Sequence, residues 1–528
     1  MNLTSILAQT APVIPPTTAP PTQTPAQTGI VLPSILWTAI IWVTFVAFIV
    51  ITLLPERNDD DRSRIRMVAL FAAGISFFLA AFFAMLGQIA LGEGGGVASA
   101  HEESYTWLHS FPFTTNYHLT ADGLSLTLLV LSTLVFGCVI FHSWKVRERV
   151  KLYCGLLMLL ETAVSGVLCS SDLVLFLLFW GMQIAPVYLL IRVYGGAGRA
   201  RAASRYLGFS LVGYALLIAS VLLLVVRAGA HTSDYTVNLV DIQGAAETAG
   251  FWLSFAAFAI ALGVFPVHRW MVESHSEAGA GVATILSGVL LKLGGYGLLR
   301  ITLAAFPHAS KSMSLVIVGL AVVGAIWGAL GALGQDDLRR LLSYGNVVQM
   351  SMVLLAVGTQ SSVALEGAVF VMVAHGLAAA ILILVSGALE ERARTRSIRG
   401  LGGIAARAPR LTGFGVFAVL SAIGVPLLAG FAAELLLFTG AFPVHRIATV
   451  LVMASLLLYT GGLMWAVHRV FFGPLRETFE RVRDTTTLEL TYLIPLVVGV
   501  LLFGVRPGSV APVISNGLIE ITSRLSGG

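Results

Sequence analysis

Residues 283–301 read ATILSGVLLKLGGYGLLRI, and Lys292 is a lone ammonium near the middle of a run of about two dozen residues that is otherwise almost entirely apolar. It lies about a dozen residues from either end, roughly 18 Å at 1.5 Å per residue, too far for its stem to snorkel to water. A charge at that depth needs a partner or a hydrated path. Two readings compete: a structural ion pair, and a group that takes part in proton or ion transfer, which is the default for an intramembrane ionisable residue.

The rest of the chain sets the same scene. Over 528 residues it is 57% hydrophobic and only 11% charged, which excludes an ordinary soluble globule. Apolar stretches long enough to span a bilayer recur fourteen times, starting near residues 32, 67, 124, 151, 172, 205, 251, 280, 313, 341, 366, 411, 446 and 488. The fold class is therefore an all-α polytopic membrane protein of about fourteen transmembrane helices. An even number places both termini on one side.

Basic residues indicate which side, because cytoplasmic loops carry an excess of Lys and Arg. The odd-numbered loops hold 25 of the 32, including KVRERVK at 145–151 and the arginine-rich stretch 392–410. The even loops and the C-terminal tail hold six, and Lys292 is the remaining one. Both termini are expected outside, on the positive face of a plasma (inner) or equivalent energy-transducing membrane. The net charge of +5 reports topology and calls for no nucleic acid.

Residues 1–30, rich in Pro and Thr, are expected to be disordered and lack the basic start of a signal peptide. The loop at 92–121 contains His101, His109 and His118, whose spacing fits no metal motif; a solvated loop is expected, with no metal site. Cys138, Cys154 and Cys169 show neither CxxC nor CxxCH spacing. No phosphate-binding loop GxxxxGK[ST] and no GxGxxG after a strand is present. No cofactor is expected in this chain, so any energy source must lie in a partner.

Two spans are interrupted alike. ALGVFPVHRW (261–270) places Gly263 and Pro266 inside the seventh, and SAIGVPLLAGFAAELL (421–436) places Gly424, Pro426 and Gly430 inside the twelfth. Proline removes a helix hydrogen bond, and freed backbone groups at membrane depth survive only where protein or trapped water satisfies them. A pair of corresponding interruptions points to inverted repeats around an ion path, although either one alone reads equally well as a proline kink.

FPVHRWMVESHSEAGAGVATILSGVLLKLGGYGLLR (265–300), GQDDLRRLLSY (334–344), HGLAAAILILVSGALEERARTRSIRGLGG (375–403) and IGVPLLAGFAAEL (423–435), together with ADGLSL (121–126) and SSDLVLFLLFW (170–180), resemble the antiporter-like subunits of respiratory complex I. The resemblance covers roughly residues 120–475 in consistent order. It is greatest to the chain M (NuoM/NdhD) type, with Glu434 where chain L and Mrp-type relatives usually have lysine. It implies a proton channel along a charged midplane axis: Lys292 matches the eighth-helix lysine, His375 the eleventh-helix histidine and Glu434 the twelfth-helix carboxylate near the exit. These types suit the task, since burial and neighbouring charge bring lysine, histidine and carboxylate side chains into the neutral range. On this basis 31–120 comprises N-terminal helices and an outside loop, 121–475 the proton-channel domain of two inverted five-helix repeats, and 476–528 a C-terminal helix and tail.

The chain also departs from the pattern. Where the family usually has a fifth-helix glutamate it has Gly181, beside Trp180, Met182 and Pro186; where a seventh-helix lysine is usual it has Ala261; and the tenth-helix histidine is Gln349. The Glu–Lys pair thought to drive pumping is thus missing. Glu161 lies ten residues before Ser171, and Gly181 ten after it, so on antiparallel neighbours the two share a depth. Glu161 either takes over from the absent carboxylate or is a secondary carboxylate without that role.

The reading is an M-type subunit of a proton-translocating NADH (or ferredoxin):quinone oxidoreductase, without redox chemistry of its own, beside L-, N- and K-like membrane subunits. The alternative is a structural or modified ion-conducting subunit of a related complex, such as an Mrp antiporter, a membrane-bound hydrogenase or a CO2-uptake complex.

Overall fold

The computed structural model describes residues 36–92, 102–108, 115–227, 243–476, 479 and 482–527. Residues 1–30, together with His101 and His109, lie outside the described residues. Thirteen of the described helices are long and apolar enough to cross a membrane, and they coincide with the expected spans one to eleven, thirteen and fourteen. The twelfth consists of two shorter apolar helices, Pro409–Ala422 and Ala429–Ala441.

Both interruptions use the same capping chemistry. The seventh span, Ala245–Leu262, ends at Gly263 (φ +74°) and is followed by a short helix, Arg269–Glu277. Gly424 (φ +72°) ends the first half of the twelfth. A left-handed residue at this place turns the chain so that orphan carbonyls of the last turn are met by the next two N–H groups. Here Val264 N–H donates to Ala259 O at 3.0 Å, and Val425 N–H to Leu420 O at 3.1 Å.

Burial separates a core from a lipid-facing rim. The fourth, eighth, tenth and eleventh spans (Val150–Cys169, Ala280–Leu303, Leu338–Thr359 and Ser362–Ala393) have 89–94% of their apolar window buried, against 33% for the first, second, sixth and fourteenth. A helix that is hydrophobic all round belongs inside, and these four put Lys292, His375 and Glu161 there. In the eleventh, Gly367 lies against the Leu437 backbone, while Gly440 of the twelfth lies against the Ala364 backbone. A side chain at either would overlap main chain, so small residues let these two helices touch, the usual device in a membrane where helix association cannot rely on the hydrophobic effect.

Two peripheral segments differ from expectation. Part of the loop at 92–121 is an antiparallel hairpin, Glu103–Leu108 with Thr115–Leu119. Its Glu103 carboxylate is buried and accepts from Trp37 N–H (2.7 Å) and Thr38 N–H (3.3 Å), satisfying donors left free where the first span begins. His118 Nε2 is 3.9 Å from Glu102, and among the described residues no three potential metal ligands cluster. The tail is also helical over Pro507–Gly527, with Val513, Ile514, Gly517, Leu518, Ile521 and Leu525 buried along one side. Its Gly517 meets the backbone at Gly123 and Leu124, where the third span starts. The sequence reading placed one helix and a tail in 476–528, and the serines and prolines that interrupt this second apolar stripe hide the helix.

At the end marked by the basic loops, Glu489 is buried between two cations. Its Oε1 is 2.7 Å from Lys145 Nζ and its Oε2 is 2.6 Å from Arg392 Nη2. One carboxylate thereby fastens the third, eleventh and fourteenth spans.

Candidate functional site

Lys292 sits between two π-helical stretches of the eighth span, Leu286–Leu290 and Leu298–Leu303. A π turn loosens the α-helical ladder and is a frequent feature of functional sites. The carbonyl of Ser287 accepts a hydrogen bond from Lys292 Nζ, and His375 Nδ1 lies 2.8 Å from the same nitrogen. No carboxylate is among its polar partners within the described residues. The structural ion pair is therefore not what the chain builds. When the ammonium donates, His375 Nδ1 is the acceptor and the imidazole proton is on Nε2; when the imidazole is the donor, the amine accepts. The same contact serves for transfer in either direction.

A second histidine joins from the other side. His275, in the short helix after the seventh-span break, is 97% buried and has Nδ1 2.7 Å from Ser287 Oγ. Asn346 of the tenth span donates to His275 Nδ1 at 3.0 Å and to Ser287 Oγ at 2.9 Å. With Nδ1 occupied as acceptor, the imidazole proton falls on Nε2, which has no protein partner. Leaving a buried donor unmet costs about 1–3 kcal/mol, so a hydrated neighbour is favoured. His275 indeed lines a cavity of about 40 Å³ with Gln183, Ser210, Trp270 and Ala261, room for roughly three waters.

On the far side of Lys292, His375 shares one cavity of about 10 Å³ with Gln349, Ser421 and Glu434, and a second of about 10 Å³ with Gln349, Asn346 and Tyr459. Each is about the size of one water. Ser421 is 99% buried and its hydroxyl has no protein partner. The order of groups is cavity, His275, Ser287 with Asn346, Lys292, His375, cavity, then Gln349 and Glu434.

The structure thus brings Lys292, His375 and Glu434 into one line. It does not bring Glu161 there. The Glu161 carboxylate is fully buried, without a hydrogen bond, and the Ser76 hydroxyl of the second span faces it outside hydrogen-bond geometry. Nor is there vacant space at Gly181: a Cβ there would lie 2.7 Å from the Tyr214 hydroxyl, so the sixth span fills the position. Ala261 lines the larger cavity, where its short side chain leaves room. Sequence reading missed His275, Ser287, Asn346 and Gln183. The signal available was ESHSEAGAG (273–281), a histidine between hydroxyls at a helix break, within the stretch that carries the family resemblance.

The family described as NADH:quinone oxidoreductase/Mrp antiporter, transmembrane, matches residues 170–459. NADH-quinone oxidoreductase subunit M of Rhodobacter capsulatus is 31% identical over 420 residues, covering 77% of this chain and 82% of its own. NAD(P)H-quinone oxidoreductase chain 4 2 of Thermosynechococcus vestitus is 31% identical over 484 residues, covering 89% and 88%. Among solved structures, a chain of respiratory complex I from Thermus thermophilus with bound NADH superposes with a TM-score of 0.82 at 26% identity, covering 93% of this chain and 99% of that one. The chain belongs to the NADH:quinone oxidoreductase/Mrp antiporter family of transmembrane subunits and is of its subunit M type.

Proposed function

We propose that this chain is the proton-conducting M-type subunit of an NADH (or ferredoxin):quinone oxidoreductase, moving protons while electron transfer occurs in other subunits. The observation that carries the reading is the 2.8 Å contact between Lys292 Nζ and His375 Nδ1, with one cavity on the His275 side of it and two small ones on the His375 side. Lys292 is the central proton store, His375 the relay and Glu434 the group nearest the exit. His275 links the larger cavity to the Ser287 hydroxyl, and the carbonyl of the same residue holds Lys292 beside it, so a proton passing from His275 to Lys292 needs a water between them. The names of the relatives, NADH-quinone oxidoreductase subunit M and NAD(P)H-quinone oxidoreductase chain 4, support this assignment.

The proposal extends to setting. Residues 121–475 form the channel domain as two inverted repeats, the neighbours are L-, N- and K-like subunits, and the chain itself holds no redox centre. The membrane is the plasma or an equivalent energy-transducing membrane, with both termini outside, as the loop charges indicate. The test is proton translocation per electron pair in membranes carrying Lys292→Ala, with assembly checked in parallel. A fall at intact assembly supports the reading. An unchanged ratio sinks it and favours the second reading, a subunit that has lost independent pumping, which Gly181 and Ala261 in place of the usual ion pair motivate.

A further inference from the structure

We propose that Glu390 is a positioning residue for His275, acting through Arg339 and Arg396; this rests on the proton-conducting reading, in which His275 delivers protons to Lys292. The helix that carries His275, Arg269–Glu277, is only 9 residues long and is cut off from the seventh span before it and the eighth after it. Its own backbone bonds cannot fix its position. Two guanidiniums from other elements hold its C-terminal end: Arg339 Nη1 donates to Ala278 O at 2.6 Å, and Arg396 Nη1 donates to Ser276 O at 2.9 Å. Carbonyls at a helix C-terminus lack intrahelical partners and carry partial negative charge, so cations suit them.

Both guanidiniums converge on Glu390. Arg339 Nη2 is 3.0 Å from Glu390 Oε2, and Arg396 Nε is 2.6 Å from Glu390 Oε1. Arg339 is 94% buried, and Glu390 is its ion-pair partner among the described residues, with Asp337 and Glu277 acting at longer range, so loss of that carboxylate leaves a desolvated charge without a direct counter-ion. Glu390 therefore fixes the direction in which each guanidinium points, and the guanidiniums fix the end of the short helix.

The elements tied together are those that surround Lys292. Glu390 lies near the end of the eleventh span, which also carries His375, roughly 22 Å away along the helix at 1.5 Å per residue. Arg339 opens the tenth span, and Asn346, two turns further on the same face, is the residue that bonds His275 Nδ1. Gly387, one turn before Glu390, lies against Ala280 at the start of the eighth span, where a side chain would overlap it. The half-buried Glu390 carboxylate, together with the Gly196 N–H bond to Glu277 O at 2.7 Å, thus keeps His275 in registration with Ser287, Asn346 and Lys292.

The experiment uses the purified, intact complex with Glu390→Gln, Glu390→Asp, Arg396→Gln and, as control, Lys292→Ala. Backbone hydrogen–deuterium exchange over residues 269–278 is measured alongside proton translocation per electron pair. Glu390→Gln is expected to speed exchange in that segment about tenfold and to lower translocation about twofold or more, with the rest of the bundle protected as before. Glu390→Asp, which keeps the charge, should recover both in part. Unchanged exchange in Glu390→Gln overturns the proposal, as does faster exchange with unchanged translocation, which would leave Glu390 a structural tie only. If Glu390→Gln does not assemble, Arg396→Gln, which removes the more exposed guanidinium, decides it by the same two readouts. Normal translocation in Lys292→Ala would instead overturn the proton-conducting reading, and the exchange data would still show whether Glu390 holds the segment.

Discussion

At Leu262 and again at Ile423 a membrane helix reaches a glycine with positive φ, and in each case the following valine N–H returns to a carbonyl five residues back. Ala-Leu-Gly-Val and Ala-Ile-Gly-Val spell the same cap twice. What lines the two breaks is different. Near the first are Ala261, Gln183, Ser210 and a cavity of about 40 Å³, with no acid or lysine among its lining residues. Near the second are Glu434, His375, Gln349 and Ser421 around about 10 Å³. A backbone break supplies room and free polar groups, whereas the charge carriers are separate additions. The fold retains the first where the second have been replaced by neutral groups and space for water.

The largest effect is expected where the two regions meet. Lys292→Ala removes the amine between His275 and His375, leaving two imidazoles with no proton carrier between them. Loss of a positioned acid–base group usually costs on the order of 10²–10⁴ in the step it serves. Proton transfer through this subunit should fall by at least the lower figure, read as reduced translocation per electron pair at normal assembly. The next effects compare the two cavities directly. Glu434→Gln should slow translocation by about tenfold, because the second region relies on a charge. Ala261→Leu, which fills the first cavity without altering any charge, should also slow it if that region relies on water. Normal pumping in Ala261→Leu would mean that the first cavity is dry or bypassed.

How far these roles were legible in the sequence follows from the kind of signal each one leaves. Lys292 stood out because a charge among apolar residues has no local explanation, and the thirteen long helices were legible because span length is set by the bilayer. The two breaks were equally visible as Gly and Pro inside apolar runs. Glu161 and Gly181 show the limit. Counting from the turn at Ser171 gave a shared depth, but depth leaves rotation about the helix axis undetermined. Rotation puts Ser76 opposite Glu161, and Tyr214 of a third helix against Gly181. His275, Asn346 and Ser287 come from three elements, and no spacing in the sequence announces that they meet. Glu489 was invisible for a similar reason: an acid at the start of a span reads as a helix cap, which it is, while its pairing with Lys145 and Arg392 depends on tertiary packing.

A smaller effect separates cap from carrier. Gly263→Ala and Gly424→Ala place a Cβ on the same left-handed backbone, which costs an L-residue about 1–2 kcal/mol, so the two variants should lose similar stability. At Gly263 the new methyl meets the Met271 sulfur at 2.6 Å, a flexible side chain that can move. At Gly424 it meets the Glu434 carboxylate itself. Thermal unfolding of the complex should therefore shift alike in both, while translocation falls severalfold only in Gly424→Ala. Equal transport in the two would mean that Glu434 tolerates displacement and is not near the exit route.

The smallest expected effect is at Glu161. Its carboxylate is fully buried with no hydrogen bond, and the hydroxyls of Ser76 and Ser165 are buried and unpartnered as well. An amide of nearly the same shape fits such a site, and its N–H donors would be offered to hydroxyls that now lack partners, so Glu161→Gln should change stability by about 1 kcal/mol or less. Because the line from His275 to Glu434 does not include Glu161, and because Tyr214 already fills the space at Gly181, translocation should change by less than about twofold, within the range of a bystander group. The comparison with Lys292→Ala in the same membranes is what makes the measurement informative. A loss at Glu161 as deep as that at Lys292 would show that the fourth span supplies the charge missing from the fifth, and the first region would then conduct by an ion-bearing route rather than through a neutral cavity.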